Sequence, residues 1–149
     1  MPSTFDTARD EILGAFKTAW DAGAAAAAGY VPEVFYDGMG KASDPDPTVA
    51  WARTTIRHTG GRQSTLSQSA GRRHFEKTGI VTISIFAPLV VAKGLDVGEQ
   101  LAKVAKGAFE GKATASGVWF RNVRVMEVGL DRSWYMINVL SDFRYDEFA

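Results

Sequence analysis

Residues 79–88 read GIVTISIFAP, and five of the seven positions from Ile80 to Phe86 are branched at Cβ. Such side chains restrict the backbone and pack well on a pleated surface, so the run predicts a strand. Pro88 has no amide hydrogen to donate and ends it. Immediately upstream, Arg73, Phe75 and Lys77 alternate with His74 and Glu76, which is the period of extended chain.

Toward the N-terminus, a second strand is expected to begin near Val49. Trp51, Arg53, Thr55 and Arg57 fall on one face, and Ala50, Ala52, Thr54 and Ile56 on the other. A polar loop from Thr59 to Gly71 is expected to follow it, rich in glycine, hydroxyls and cations. VPEVFYDG (31–38) reads as a short strand with Pro32 at its start, and GMGKASDPDP (38–47) as a loop. Further back, Phe5, Ala8, Ile12, Phe16 and Ala19, with Leu13 and Trp20 beside them, recur at helical spacing. They predict a helix over about residues 4–21, capped by Ser3 or Thr4 and with Asp6 in its first turn. The run GAAAAAG (23–29) either extends that helix, frays at its end, or forms a packing surface of small residues.

Toward the C-terminus, Leu95, Val97, Leu101, Val104, Ala105, Ala108 and Phe109 define a second amphipathic helix between Gly94 and Gly111, with Asp96 as cap or first-turn acid. GVWFRNVRVMEVG (117–129) and SWYMINVLSDFRY (133–145) alternate as strands and are expected to form a hairpin joined at LDR, residues 130–132. The expected order is αβββαββ. Strands clustered between two helices imply the α+β class: a mainly antiparallel sheet of about five strands with two packed helices, in a single domain over residues 1–149. The long polar arms between strands suit pairing with another chain.

Of the 149 residues, 46% are hydrophobic and 23% charged, ordinary values for a chain that folds without a partner. The 17 basic residues balance the 17 acidic ones overall, but not locally. Residues 51–77 hold six basic side chains (Arg53, Arg57, Arg62, Arg72, Arg73, Lys77) against the single acid Glu76, a net of +5. There is no cysteine, which removes disulfides, thiol nucleophiles and thiolate metal sites. The opening MPSTFDTARDEIL is acidic and amphipathic, where a secretory signal would be basic and then apolar. The longest apolar stretch, GIVTISIFAPLVV, is interrupted by Thr82, Ser84 and Pro88, so a soluble protein with no membrane partner is expected.

The motifs that carry chemistry fail in turn. GMGKA is no phosphate loop, because Phe35 stands where a glycine is required and Ala42 where a hydroxyl is required. Asp44 and Asp46 lack the other oxygen ligands of a calcium loop, and His58 and His74 lack an acid cluster at ligand spacing. Ser64, Ser67 and Ser69 lie in no nucleophile elbow. General acid–base work by Glu76 or Glu127 with a histidine stays open, since such geometry is spatial. No enzyme activity, cofactor or metal is expected. The basic segment serves either as a solvated hairpin with subunit salt bridges or as a phosphate-facing surface, and only Trp51 and Phe75 interleave it with aromatic rings.

VFYDG, PDPTVAWARTTIRHTGGRQSTL, RRHFEKTGIVTISIFAP followed by a glycine-led helix, and the aromatic end FRYDEF together resemble the tail terminator (tail completion) proteins of long noncontractile-tailed bacteriophages. The likeness covers about residues 30–148, with Trp51, Arg53, Gln63, Thr65, Leu66, Arg73, Phe75, Gly79 and Pro88 as landmarks. DAGAAAAAG has no counterpart in it. The resemblance implies a structural virion protein, assembled in the host cytoplasm, that forms a hexameric ring on the head-proximal end of the tail tube. Such a ring ends tube polymerisation and docks to the head connector or head-completion protein, and DNA passes through its lumen. Arg57, Arg62, Gln63, Arg72 and Arg73 are then the candidate contacts to a neighbouring subunit, to the tube protein or to the lumen. Two other readings of the chain stand beside it: a head-completion or neck adaptor, and a nucleic-acid-binding module that uses the basic segment 53–77.

Overall fold

The computed structural model describes residues 4–36, 38, 46–63 and 74–148. Its elements are α1 (Phe5–Ala28), β1 (Glu33–Phe35), β2 (Trp51–Gln63), β3 (His74–Pro88), α2 (Gly94–Phe109), β4 (Trp119–Asp131) and β5 (Trp134–Phe148). The class is α+β and the order αβββαββ, as the periodicities predict. The five strands lie in one sheet, ordered β1-β2-β3-β5-β4, with β1 parallel to β2 and every other pair antiparallel.

The run at 80–86 occupies the middle of this sheet. β3 pairs with β2 through Phe86↔Trp51 to Phe75↔Gln63 and with β5 through Pro88↔Trp134 to His74↔Phe148. Val81, Ile83 and Ile85 point to the face covered by the helices, opposite Ile56, Thr54 and Ala52 on one side and Ser141, Val139 and Ile137 on the other. Strand alternation and helix periodicity meet at that layer. Ala8, Ile12, Phe16, Trp20 and Ala24 are the buried stripe of α1, and Leu101, Ala102, Ala105, Ala108 and Phe109 that of α2. Burying each large side chain of this core contributes about 1.5–3 kcal/mol.

Several boundaries differ from expectation for identifiable reasons. The first helix runs past residue 21 to Ala28, because alanine is the best helix former and the glycine after the run supplies the stop. Gly29 adopts φ 82° and its N–H bonds the Ala25 carbonyl at 2.8 Å. Gly23 lies inside the helix, where an added Cβ would stand 3.2 Å from Val104 of α2; the small residue lets the two helices approach. Thr4 caps α1, accepting from the Thr7 N–H. Asp96 sits in the first turn of α2 and is not its cap; Lys93 holds that position with φ 61°.

Thr59–Gln63 were expected in the loop and are strand. A bulge between His58 and Gly60 shifts the register, after which Gly60 to Gln63 pair with Thr78 to Phe75. Residues 64–71 of the expected loop, and most of GMGKASDPDP, lie outside the described residues. β3 passes straight through Gly79, whose missing side chain leaves room for the Phe143 ring and for the Arg57 carbonyl oxygen, 2.5 Å from where a Cβ would be. The final hairpin turns at Arg132 and Ser133, one residue later than the predicted LDR, with Arg132 at φ 55°.

Candidate interface: the β2–β3 arm and the sheet edges

The face of the sheet away from the helices has two distinct ends. At one, Trp51 stacks on Phe86 with ring centroids 3.9 Å apart, and Trp134 and Phe35 meet Trp51 edge-on at 5.8 and 5.4 Å. Trp51, Phe86 and Trp134 are buried there and form a second small core. The chain between β1 and β2 is pinned to it: the Trp134 indole N–H donates to the Val49 carbonyl, and the Tyr30 hydroxyl accepts from the Ala50 N–H. Arg53 lies over the Phe86 ring at 5.6 Å, an orientation that the quadrupole of the ring favours.

At the other end lie the outer parts of β2 and β3, the arm. The bulge decides which way its charges point. Arg57 pairs with Ile80 and Arg62 with Glu76, both on the helix-free face, although five residues of unbroken strand would place them on opposite faces. Arg57 is exposed and its guanidinium donates to the Ile56 carbonyl at 2.8 Å. Arg62 reaches Glu76 at 3.6 Å, and Glu76 also meets Arg144 of β5 at 3.5 Å. His74 lies 3.0 Å from Asp146. Gln63 ends β2 opposite Phe75, on the helix side of the sheet. Arg72 and Arg73 lie outside the described residues. Of the five candidate contacts, the structure thus brings Arg57 and Arg62 onto one face and sets Gln63 on the other. Glu76, already counted in the local charge balance, bridges Arg62 and Arg144, while β5, far away in sequence, brings both the cation Arg144 and the carboxylate Asp146 to the arm.

At its inner end the arm is tied to the start of α1. The His58 imidazole and the Tyr145 hydroxyl are 2.8 Å apart, and Phe5 stacks on His58 with centroids 4.5 Å apart. Burial, aided by the charges of Arg9 and Lys77, holds the His58 pKa below its ordinary value. Burial likewise pushes the Tyr145 phenol up to about 12, with Glu147 adding to the effect.

A cleft of about 450 Å³ at this junction is lined by His58, Lys77, Tyr145 and Glu147 beside Phe5, Gly60 and Gly61. The cleft between α1 and the loop before β4, about 630 Å³, is lined mainly by Gly14, Ala15, Thr18, Ala19, Ala22 and Phe120. Its one carboxylate, Glu11, accepts from the hydroxyl and amide of Ser116; burial opposes ionisation there, but these bonds keep its pKa below the ordinary value. Among the described residues no group of three or more His, Asp and Glu side chains stands close enough to hold a metal ion, and no helix is long and apolar enough to cross a membrane.

Sequence reading missed the apolar side chains at the sheet margins. On edge strand β4, Trp119, Val125, Met126, Val128 and Leu130 are exposed, Leu130 by 77%. Leu89, Val90, Val91 and Leu95 are exposed in and just after the turn from β3 to α2. The two groups are neighbours, because the Leu89 N–H donates to the Ser133 carbonyl in the β4–β5 turn. At the opposite margin, Tyr30 and Val31, just before edge strand β1, and Phe5, against β2, are exposed. The available signal was LVV, three apolar residues after the strand-ending Pro88 with no polar partner in the pattern.

No protein-family pattern matches the sequence, and no characterised protein matches it significantly. Solved structures share the fold. One, of a protein known only by a sequence label, aligns over 94% of this chain and 96% of its own, with TM-score 0.62 and 16% identity. Another is a chain from the virion of a native gene transfer agent particle, aligned over 93% of this chain and 94% of its own, with TM-score 0.50 and 16% identity.

Proposed function

We propose that this chain is a structural virion protein of the tail terminator kind. It forms a ring, a hexamer by resemblance, on the head-proximal end of a phage tail tube, ends tube growth and presents a surface to the head connector. The observation that supports this most is the fold it shares, nearly end to end, with a chain of a gene transfer agent virion. The sequence landmarks around Trp51, Gly79 and Pro88 point the same way, and Trp51 and Gly79 hold positions where packing demands them. In this reading the chain makes and breaks no bonds in a substrate. It works by fitting against copies of itself and against the tube, and the arm carrying Arg57 and Arg62 reaches toward those partners. DNA meets at most the lumen of the ring.

The test is tube assembly. Added to polymerising tube protein, the chain is expected to arrest tubes, and particles lacking it are expected to carry tails of abnormal length that fail to join heads. Removal of Gly60–Ser69 is expected to abolish both activities while the circular dichroism of the folded chain persists. Normal tails joined to filled heads in particles without the protein would refute the reading.

A further inference from the structure

We infer that the β4 margin of the sheet packs against the β1 margin of a second copy of this chain, so that the sheets of neighbouring subunits run on edge to edge. The inference rests on the ring reading above and names the surfaces that would close it.

Three observations carry it. First, the large apolar side chains exposed among the described residues are confined to the two margins of one sheet: nine at the β4 side, including the adjoining residues 89–95, and Phe5, Tyr30 and Val31 at the β1–β2 side. Monomeric proteins rarely leave contiguous apolar surface beyond a few hundred Å² in water. The nine side chains, Leu130, Val90 and Trp119 above 60% exposed, together offer an area of the order of the ~800 Å² that one partner gives to a stable interface.

Second, the edges fit in direction. β1 is parallel to β2, and three antiparallel steps lead from β2 through β3 and β5 to β4, so β4 runs antiparallel to β1. Copies placed side by side with their helices on the same face therefore meet as an antiparallel pair, which hydrogen-bonds without a crossover. Third, β4 lacks lysine and proline, although Arg121, Arg124, Glu127 and Asp131 and the bulges at Arg121/Arg124 and Glu127/Gly129 limit any ladder to short stretches. The apolar side chains thus supply most of the contact. Two different patches meeting head to tail make a heterologous joint, which closes into a ring when the rotation allows.

The chain has no cysteine, so introduced pairs read the joint without background. Val125→Cys, Val128→Cys and Leu130→Cys form one set, and Tyr30→Cys and Val31→Cys the other. After mild oxidation at concentrations where light scattering shows the oligomer, disulfide-linked dimers are expected only when a member of one set is mixed with a member of the other. Dimers formed within the β4 set alone would indicate a two-fold joint and overturn the inference, as would an oligomer with no cross-link between the sets. So would a chain that stays monomeric at every concentration. Val128→Lys with Leu130→Lys is expected to reduce the mass to that of one chain with an unchanged far-UV circular dichroism spectrum, and an unchanged mass would count against the joint. A ring joined elsewhere that still caps tubes would spare the terminator reading and sink this one; a β4–β1 joint in a chain that does not cap tubes would do the reverse.

Discussion

The two ends of the β2–β3 ladder are built from the same two strands and by opposite means. At the base, Trp51, Phe86 and Trp134 exclude water and stack at close range. At the tip, Arg62, Glu76 and Arg144 hold the strands with charge at 3.5 to 3.6 Å, partly in solvent, and His74 lies 3.0 Å from Asp146. Dispersion and burial are insensitive to salt, whereas half-exposed ion pairs are screened and individually weak. The base is thus the anchor, and the tip is held by contacts that each cost little to break.

The comparison can be broken at the base first. Trp51→Ala empties the second core and is expected to cost about 3–5 kcal/mol, read as a lower urea midpoint. Gly79→Ala, midway along the ladder, drives a methyl group toward the Phe143 ring and the Arg57 carbonyl, and is expected to cost about 1–3 kcal/mol in the same measurement. At the junction with α1, acid is the probe. His58 has a folded pKa below its unfolded value, so the unfolded chain binds the extra proton more readily, and the stability from neutral His58 is present above about pH 6.5. It is lost as pH falls from there through the folded value. The melting temperature is expected to drop between pH 7 and pH 5, and His58→Gln is expected to flatten that drop; an equal drop in the variant would remove His58 from the account. At the tip, Arg62→Ala is expected to stay within about 0.5 kcal/mol of the parent, with the small difference shrinking further in high salt.

Much of the fold was legible because local pattern and global burial agree. The β-branched run at 80–86 forms the central strand, and the helical stripes from Ile12 to Trp20 and from Leu101 to Phe109 face its inward side chains. Thr59–Gln63 misled, since glycine, hydroxyl and arginine read as loop while the strand that holds them, β3, pairs with them from further along the chain. The candidate interface was legible only in part. A charge count along residues 51–77 found Arg57 and Arg62, but Arg144 and Asp146, which meet Glu76 and His74, come from β5, far along the chain. The β4 margin escaped because alternation predicts which side chains leave the core and does not say which strand will lie at the edge.

The bulge between His58 and Gly60 acts as a phase counter for the arm. Because side chains swap sides at every step, a relative of this chain whose arm is longer or shorter by one position must gain or lose such an irregularity to keep its outer arginine on the side of Arg57. Changes by two leave the phase intact. Natural variation in arm length should therefore come in even steps wherever the irregularity persists, a pattern that a collection of related sequences would display without any experiment.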